Sequence, residues 1–474
     1  MNFEAVVGLE IHVAMNTKSK MFSSAPVSFG ATPNTNVAPL DICFPGTLPL
    51  VNKQVVINAI KVCNALHMTI DDELWFDRKN YFYSDLAKGY QITQQRRPIG
   101  RDGYLDIDVD GKTKRIGIER LHMEEDACKQ LHIGDSTLLD YNRSGVPLLE
   151  IVFLPDVSSG HEAMKCVEKI RSIVSFLEVS SGKMEEGSLR CDINVSIRPI
   201  GSKKLGSRVE IKNVNTLANI QRAIDFEIKR QEALLLSGQK VKLETLRFDE
   251  LKKETIKMRV KNEAIDYKYF TDPNIVPIKL SKEFIEDAIK SSPELAEAKY
   301  ERYLSIGLNE YDSNLLSSNK EISDYFDEVI RNGASPKLAA NWIIVDVQAV
   351  LNKRGIDIKQ FPICAINLNE LIQSIEKKKI SNKQARIIFD KMQYSDMDPH
   401  QLIKEMNITL IADEVSLMNI VNQVLDENPQ TVSDYKNGKD RVVGYLVGQV
   451  MKKSGGEVDP ALTNKLVVKG LKER

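Results

Sequence analysis

The sequence predicts an α+β fold, with a mixed strand and helix region over residues 1–292 and helical regions over 293–405 and 406–474. Three observations carry this. Leu189, Cys191, Ile193, Val195 and Ile197 alternate with Arg190, Asp192, Asn194, Ser196 and Arg198, the period of a half-buried strand. Residues 146–154 are almost continuously apolar, as in a strand covered on both faces. After residue 292 helical spacing takes over, and a break at 394–399 divides it.

Composition sets the class. The chain has 474 residues, too many for one core, with 42% apolar and 28% charged residues. A net charge of −1 provides no global field for nucleic acid. No basic stretch leads into an apolar one at the N-terminus, and the apolar run 342–351 is too short to span a bilayer and contains Asp346. The six cysteines form no Cys-x-x-Cys pair, which argues against a thiolate zinc site or a disulfide framework. A soluble cytoplasmic protein without membrane attachment is expected.

The elements follow in order. Val7, Leu9, Ile11 and Val13 alternate with Gly8, Glu10, His12 and Ala14 as a one-faced strand, and residues 17–50 read as an extended loop. Helical spacing covers 54–66. Residues 78–98 read as a loop holding Tyr81, Phe82, Tyr83 and Tyr90 among Arg78, Lys79, Lys88, Arg96 and Arg97. A hairpin turning at Asp110-Gly111 joins strands at 105–109 and 114–118. A helix at 164–177, the strand 189–197, a strand at 208–212 and a helix at 216–236 stopped by Gly238 complete the region, which ends near Pro277. Ser292-Pro293-Glu294 has the signature of a helix start. The last forty residues hold nine Lys or Arg against Asp440, Glu457, Asp459 and Glu473, a basic tail on an acidic body.

Four segments carry chemistry. Glu10 and His12 lie two apart on a strand, so they share a face and can lean toward one ion; otherwise they are solvated outer residues. Glu150 is the one charge in an apolar strand, which requires a metal, a functional network or an arginine partner such as Arg143. Beside His122, the pair Glu124-Glu125 cannot share a face. Alternation groups Glu125 with Leu121 and Met123, so Glu125 is the expected ligand and Glu124 an outer contact or second-ion ligand. Glu185-Glu186 reads as an acidic edge or a solvated loop. Carboxylate ligands without thiolates favour Mg²⁺ or Mn²⁺, and Mg²⁺ usually bridges to phosphate. No Walker-type glycine loop is present; Arg78 and Lys79 offer phosphate clamps and the nearby tyrosines a stacking surface. Phosphoryl or nucleotidyl chemistry on a nucleic-acid-linked substrate fits, against a water-activating Mg²⁺ nuclease or a non-catalytic RNA-binding scaffold.

Several longer motifs stand in order: Gly8-Leu9-Glu10-Ile11-His12, Asp77-Arg78-Lys79-Asn80-Tyr81-Phe82-Tyr83, His122-Met123-Glu124-Glu125-Asp126, Gly145-Val146-Pro147-Leu148-Leu149-Glu150-Ile151, Met184-Glu185-Glu186-Gly187-Ser188-Leu189-Arg190-Cys191-Asp192 and Asp266-Tyr267-Lys268-Tyr269-Phe270. Together they resemble the GatB subunit of the tRNA-dependent amidotransferases over essentially the whole chain. The resemblance implies a cradle-like catalytic (kinase) domain, a helical domain and a small helical tail domain that binds tRNA. It implies a heterotrimer in which the two partners are an amidase and a small third protein. It also implies ATP- and Mg²⁺-dependent phosphorylation of the side-chain carboxylate of Glu-tRNA(Gln) or Asp-tRNA(Asn), then amidation by glutamine-derived ammonia. Carried over by position, Glu10, His12, Glu125 and Glu150 are the metal ligands. Lys79, Glu124 and Glu125 are expected to act in catalysis. Lys79, with Tyr81 beside it in the Arg-Lys-Asn-Tyr motif, and the clamp candidate Arg78 are assigned to phosphate or substrate. Arg190 and Asp192, which match a cleft-strand motif, are expected on the nucleotide or substrate side. Many members place paired cysteines in the segment matching 37–46; this chain has Cys43 alone, so no zinc is expected.

Overall fold

The computed structural model describes residues 2–260, 266–406, 408, 414–436, 439–454, 458 and 460–474; Glu457 and Asp459 of the tail lie outside them. Two compact units form, Met1–Leu295 and Ala296–Arg474. The first is mixed α/β and the second helical, as an α+β chain requires.

The first unit begins with β1 (Phe3–Ala14), α1 (Lys53–Ala65), β2 (Thr69–Ile70), β3 (Glu73–Leu74), β4 (Asp77–Asn80) and β5 (Tyr90–Thr93). It continues through β6 (Gly100–Val109), β7 (Lys112–Glu125), β8 (Lys129–Ile133), β9 (Ser136–Asp140), β10 (Pro147–Phe153) and α2 (Gly160–Phe176). After β11 (Leu189–Pro199), β12 (Val209–Lys212) and α3 (Leu217–Leu236) come β13 (Glu244–Asp249), β14 (Glu254–Val260), β15 (Phe270–Thr271), β16 (Ile278–Lys279) and α4 (Lys282–Lys290). Nine strands make one sheet in the order β14-β13-β12-β11-β1-β10-β7-β6-β2, antiparallel except between β12 and β13.

Period-two alternation gives this sheet two unlike faces. Leu9, Ile11 and Val13 of β1, Cys191 and Ile193 of β11, Leu149 and Ile151 of β10 and Leu121 and Met123 of β7 enter one core with the apolar sides of α1, α2 and α3. The helices start where short polar side chains cap free backbone N–H groups: Asn52, Ser159 and Thr216 each accept from the first turn of α1, α2 and α3. The intervening residues of the same strands, among them Glu10, His12, Glu150, His122 and Asp192, fall on the other face. The hairpin turns where expected, with Asp110 and Gly111 both at positive φ.

Two sequence expectations need correction. Residues 78–98 are not a plain loop: β4 and β5 pair there, and β15 joins them in a three-stranded sheet. Ser292-Pro293-Glu294 does not start a helix. The Ser292 amide donates to Ile289 O and closes the end of α4, so the next helix begins at Ala296.

The 17–50 loop is anchored by a buried ion pair. Lys20 is fully buried and its ammonium lies 2.9 Å from Asp41 Oδ2 and 3.1 Å from Tyr141 O. Asp41 also accepts from Ser23 Oγ and Ala38 N. Gly145, at φ 79°, leads into β10 here, and a Cβ on it would lie 3.0 Å from Asp41 Oδ1.

In the second unit, one core gathers Phe326, Trp342, Ile343, Leu371 and Ile388, and another gathers Leu417, Val421, Leu446, Val450 and Val467. Among the described residues no helix is long and apolar enough to cross a membrane.

Removing Asp41 leaves the Lys20 ammonium buried without its partner. Asp41→Ala is therefore expected to destabilise the first unit by about 3–5 kcal/mol, and Lys20→Met/Asp41→Leu to recover most of that. Urea unfolding followed through Trp75 fluorescence in a Trp342→Phe background measures both; a loss below about 1 kcal/mol would contradict the account.

Candidate metal and phosphoryl-transfer site

Strand register assembles the site. His12 lies opposite Arg190 on β11 and Glu150 on β10, and Glu150 lies opposite His122 on β7. Directly paired residues project to the same face. Arg190, His12, Glu150 and His122 therefore form one row across four strands, with Glu10 and Asp192 in an adjoining row.

Glu150 is the hub. Its Oε2 is 3.2 Å from His12 Nε2 and 3.3 Å from His122 Nε2. The His122 Nε2 is 3.9 Å from Glu124 Oε2, and that oxygen is 3.8 Å from Lys79 Nζ. His12, Glu124 and Glu150 each offer one donor atom within 4.8 Å of the others, the one such group among the described residues.

Electrostatics follow from this packing. Burial favours the neutral form of Glu150, but the two histidines outweigh it and hold the carboxyl well below the usual range. Burial also works against protonation of His122, yet Glu150 and Glu124 push its pKa up to about 9. His12 moves upward for the same reason. Burial opposes ionisation of Glu124, which Lys79 and His122 overcome, while Glu124 itself raises the Lys79 pKa. Burial, with Glu150 and Asp192 adding repulsion, raises the pKa of Glu10.

The structure distributes the expected site residues unevenly. It brings His12, Glu150 and Glu124 together, with Lys79 beside them. Glu125 is not in that group. Alternation does place it on the side of Leu121 and Met123, but that is the face opposite Glu150. There its carboxylate is held by Lys88 Nζ at 2.6 Å and the Ile92 amide at 2.9 Å. Glu10 stands two residues from His12 and accepts from Asn194 Nδ2 at 3.0 Å.

Arg78 points away from Lys79 along β4, donates to Asp272 Oδ2 at 2.7 Å and lies 4.0 Å over the Tyr90 ring. Tyr81 donates to Gln91 Oε1 at 2.8 Å, and Gln91 donates in turn to Glu124 Oε1 at 3.3 Å. Asp192 pairs with Lys212 at 2.7 Å. Arg143 pairs not with Glu150 but with Asp126, which also takes Arg190 at 2.9 Å. Glu186 is exposed and pairs with Lys183.

Sequence reasoning set His122 below His12 as a ligand and gave Lys88, Gln91, Tyr267 and Tyr269 no role. Antiparallel pairing of β7 with β10 is the signal that brings His122 to Glu150. Beyond Leu121 the β6 strand no longer flanks β7, and glutamines satisfy the open edge. The Met123 amide donates to Gln94 Oε1 at 3.1 Å and Gln91 Nε2 donates to Glu125 O at 2.8 Å.

Two carboxylate oxygens and one imidazole nitrogen suit Mg²⁺ or Mn²⁺ and leave positions for water and phosphate oxygens. A dication held by His12 would displace the proton of that imidazole, because a histidine must be deprotonated to bind metal, and its charge beside Glu150 would disfavour the proton on His122. Without metal, the His122 proton stabilises the fold fully below its unfolded pKa of about 6.5, and that contribution disappears as pH rises through the folded value. Stability of the ion-free protein is thus expected to fall between about pH 6.5 and the folded value of about 9, and Mn²⁺ at about 5 mM to suppress that dependence. Thermal melts across pH test it; identical profiles with and without Mn²⁺ would remove the metal from this site.

Comparison with known proteins adds to this geometry. The profile of the GatB/GatE catalytic domain matches residues 5–286, and that of the GatB domain matches 324–471. The chain is 47% identical over 476 residues to the B subunit of the aspartyl/glutamyl-tRNA(Asn/Gln) amidotransferase of Geobacillus thermodenitrificans (strain NG80-2), covering 100% of both. It is 45% identical over 475 residues to the protein of the same name in Bacillus cereus (strain AH187), again covering 100% of both.

Proposed function

The chain belongs to the GatB family of the aspartyl/glutamyl-tRNA(Asn/Gln) amidotransferases, and on that premise we propose that its sheet carries the kinase site of the reaction. The enzyme is a tRNA-dependent amidotransferase. In the proposed reaction, a side-chain carboxylate oxygen of Glu-tRNA(Gln) or Asp-tRNA(Asn) attacks the γ-phosphorus of ATP, and ADP leaves. Ammonia released from glutamine by the amidase partner then attacks the acyl carbon and expels phosphate, giving the amide. A small third protein completes the assembly. The observation that carries this reading is the His12–Glu124–Glu150 group with the Lys79 ammonium beside it.

The chemistry explains why such a group is needed. A carboxylate is a poor electrophile, and phosphorylation gives it a leaving group. Both reactants are anionic, so positive charge must stand between them. His12, Glu124 and Glu150 would hold Mg²⁺, which when bound would supply Lewis-acid charge neutralisation. Lys79 adds a point charge at the same place, kept protonated by Glu124. Tyr81 and Gln91 orient Glu124 from behind. Arg190 faces the row from a strand where Asp126 fixes its guanidinium.

Removal of a ligand gives the first test. In the complete enzyme, Glu150→Ala or Glu124→Ala is expected to lower Glu-tRNA-dependent phosphate release from ATP by at least about 100-fold. Glutaminase activity, which belongs to the partner, should partly survive. Normal ATP turnover in either variant would overturn the assignment, and ATP-independent phosphodiester cleavage by the parent protein would favour a nuclease.

The tail supplies a second test. In the helix Pro460–Lys472, Leu466, Val467 and Leu471 pack inward while Lys465, Lys469 and Lys472 stay exposed. Their spacing places them along one side. Replacing all three by Ala is expected to weaken tRNA binding and flatten its salt dependence by roughly two to three units of slope. Filter binding from low to physiological salt measures this; unchanged slopes would leave the basic tail as a solvated face.

A further inference from the structure

The segment around Tyr267 comes from far along the chain to lie over Lys79. The Asn80 amide donates to Tyr267 O at 2.9 Å, across 187 positions of sequence. Asn80 Nδ2 donates to Lys268 O at 2.7 Å, Arg96 Nη2 donates to Tyr269 O at 3.1 Å, and Phe270 pairs with Arg78 as β15 joins β4. Lys268 sits at φ 47°, a left-handed conformation that Asp266 fixes by accepting from its amide at 2.9 Å. Non-glycine residues adopt that region only where the surroundings enforce it.

This strap delivers rings rather than core packing. Tyr267 lies edge-on to Tyr81 and to Tyr269, each with centroids 5.9 Å apart. None of the three belongs to the hydrophobic core or packs against it. The Lys79 ammonium is 5.3 Å from the centre of the Tyr267 ring and 3.8 Å from Glu124 Oε2. A lysine side chain has four rotatable carbons, and one carboxylate contact does not fix its head. An aromatic face attracts the cation and leaves its hydrogens free for another anion.

We propose that Tyr267 is a positioning residue: its ring holds the Lys79 ammonium over the polar sheet face, where Lys79 meets phosphate. The proposal rests on the phosphoryl-transfer reading above. Its distinguishing property is that the ring face matters and the hydroxyl does not.

The test compares Tyr267→Phe, Tyr267→Leu, Lys79→Ala and Tyr267→Leu/Lys79→Ala in the complete amidotransferase, measuring Glu-tRNA-dependent phosphate release, KM for ATP and glutaminase. Tyr267→Phe should keep kcat within about twofold of the parent. Tyr267→Leu should lose about 10- to 100-fold in kcat with KM for ATP changed less than about threefold. The double variant should be no slower than Lys79→Ala, because the ring acts through that lysine. Asn80→Ala, which removes the Nδ2 bond to Lys268 O while keeping the backbone amide bond to Tyr267 O, should lower kcat less than Tyr267→Leu, with glutaminase intact. Normal kcat in Tyr267→Leu, equal damage from Phe and Leu, or additive losses in the double variant would each overturn the positioning role. Full activity in Lys79→Ala would instead defeat the phosphoryl-transfer reading of the site, and the tyrosine's role with it.

Discussion

Burying one carboxylate in the middle of a sheet imposes the organisation of the first unit. Glu150 is 8% exposed, and its strand neighbours Leu149 and Ile151 enter the core. An isolated ion there would cost several kcal/mol. The two strands that flank it each place a histidine opposite, so the compensation is built from backbone register rather than from flexible side chains. Register is strongly specified in this sheet, since a slip of one residue would turn Leu9, Ile11 and Val13 out of the core. The same apolar pattern that buries the helix-facing side thus fixes the donor atoms on the other.

That compensation has a consequence for ion binding. His12, His122 and Lys79 face Glu124 and Glu150, and the two imidazoles are drawn toward protonation by the carboxylates. A dication held by His12, Glu124 and Glu150 would displace the His12 proton and would not enter an uncompensated acidic hole. The carboxylates are compensated by ion pairs within the group itself. Lys79 is held in its charged form by Glu124.

How much of this was legible in the sequence depends on range. Alternation in β1 and β11, the Asp110-Gly111 turn and the apolar faces of α2 and α3 are readable because each is decided by residues a few positions apart, whereas the helix start read at Ser292-Pro293-Glu294 is not one. Glu10, His12 and Glu150 stood out because charge in an apolar strand is conspicuous. Glu124 and Glu125 were split correctly onto opposite faces. The expected ligand is Glu125, read from its burial beside Leu121 and Met123, whereas the structure groups Glu124 with His12 and Glu150. Only the pairing of β7 with β10 reveals that Glu124 and His122 share the face of Glu150, opposite the core. Lys88 holding Glu125 and Gln91 reaching Glu124 come from β5 and the turn before it, a hairpin whose tyrosine and lysine content gave no alternating signal. Charge composition likewise marked the 78–98 stretch as functional without disclosing that Arg78 and Lys79, adjacent in sequence, turn to opposite sides of a strand.

The covering sheet of β4, β5 and β15 answers a demand that the large sheet creates. Once Glu150 and Glu124 lie on the side away from the helices, that side needs a second layer able to partner their charge. An apolar layer would leave the carboxylates without partners, and an open face would solvate them and weaken their hold on charge. A short hairpin bearing Lys79, Tyr81 and Gln91, closed by the Tyr267 strap, meets both conditions: its polar atoms are aimed at the carboxylates and its rings fill the space between. Because the strap is held through Asn80 and Arg96 to backbone carbonyls, its position depends on strand pairing more than on its own side chains. The surroundings of Lys79 are therefore tied to a contact between segments 187 positions apart, a separation that local periodicity in either segment does not disclose.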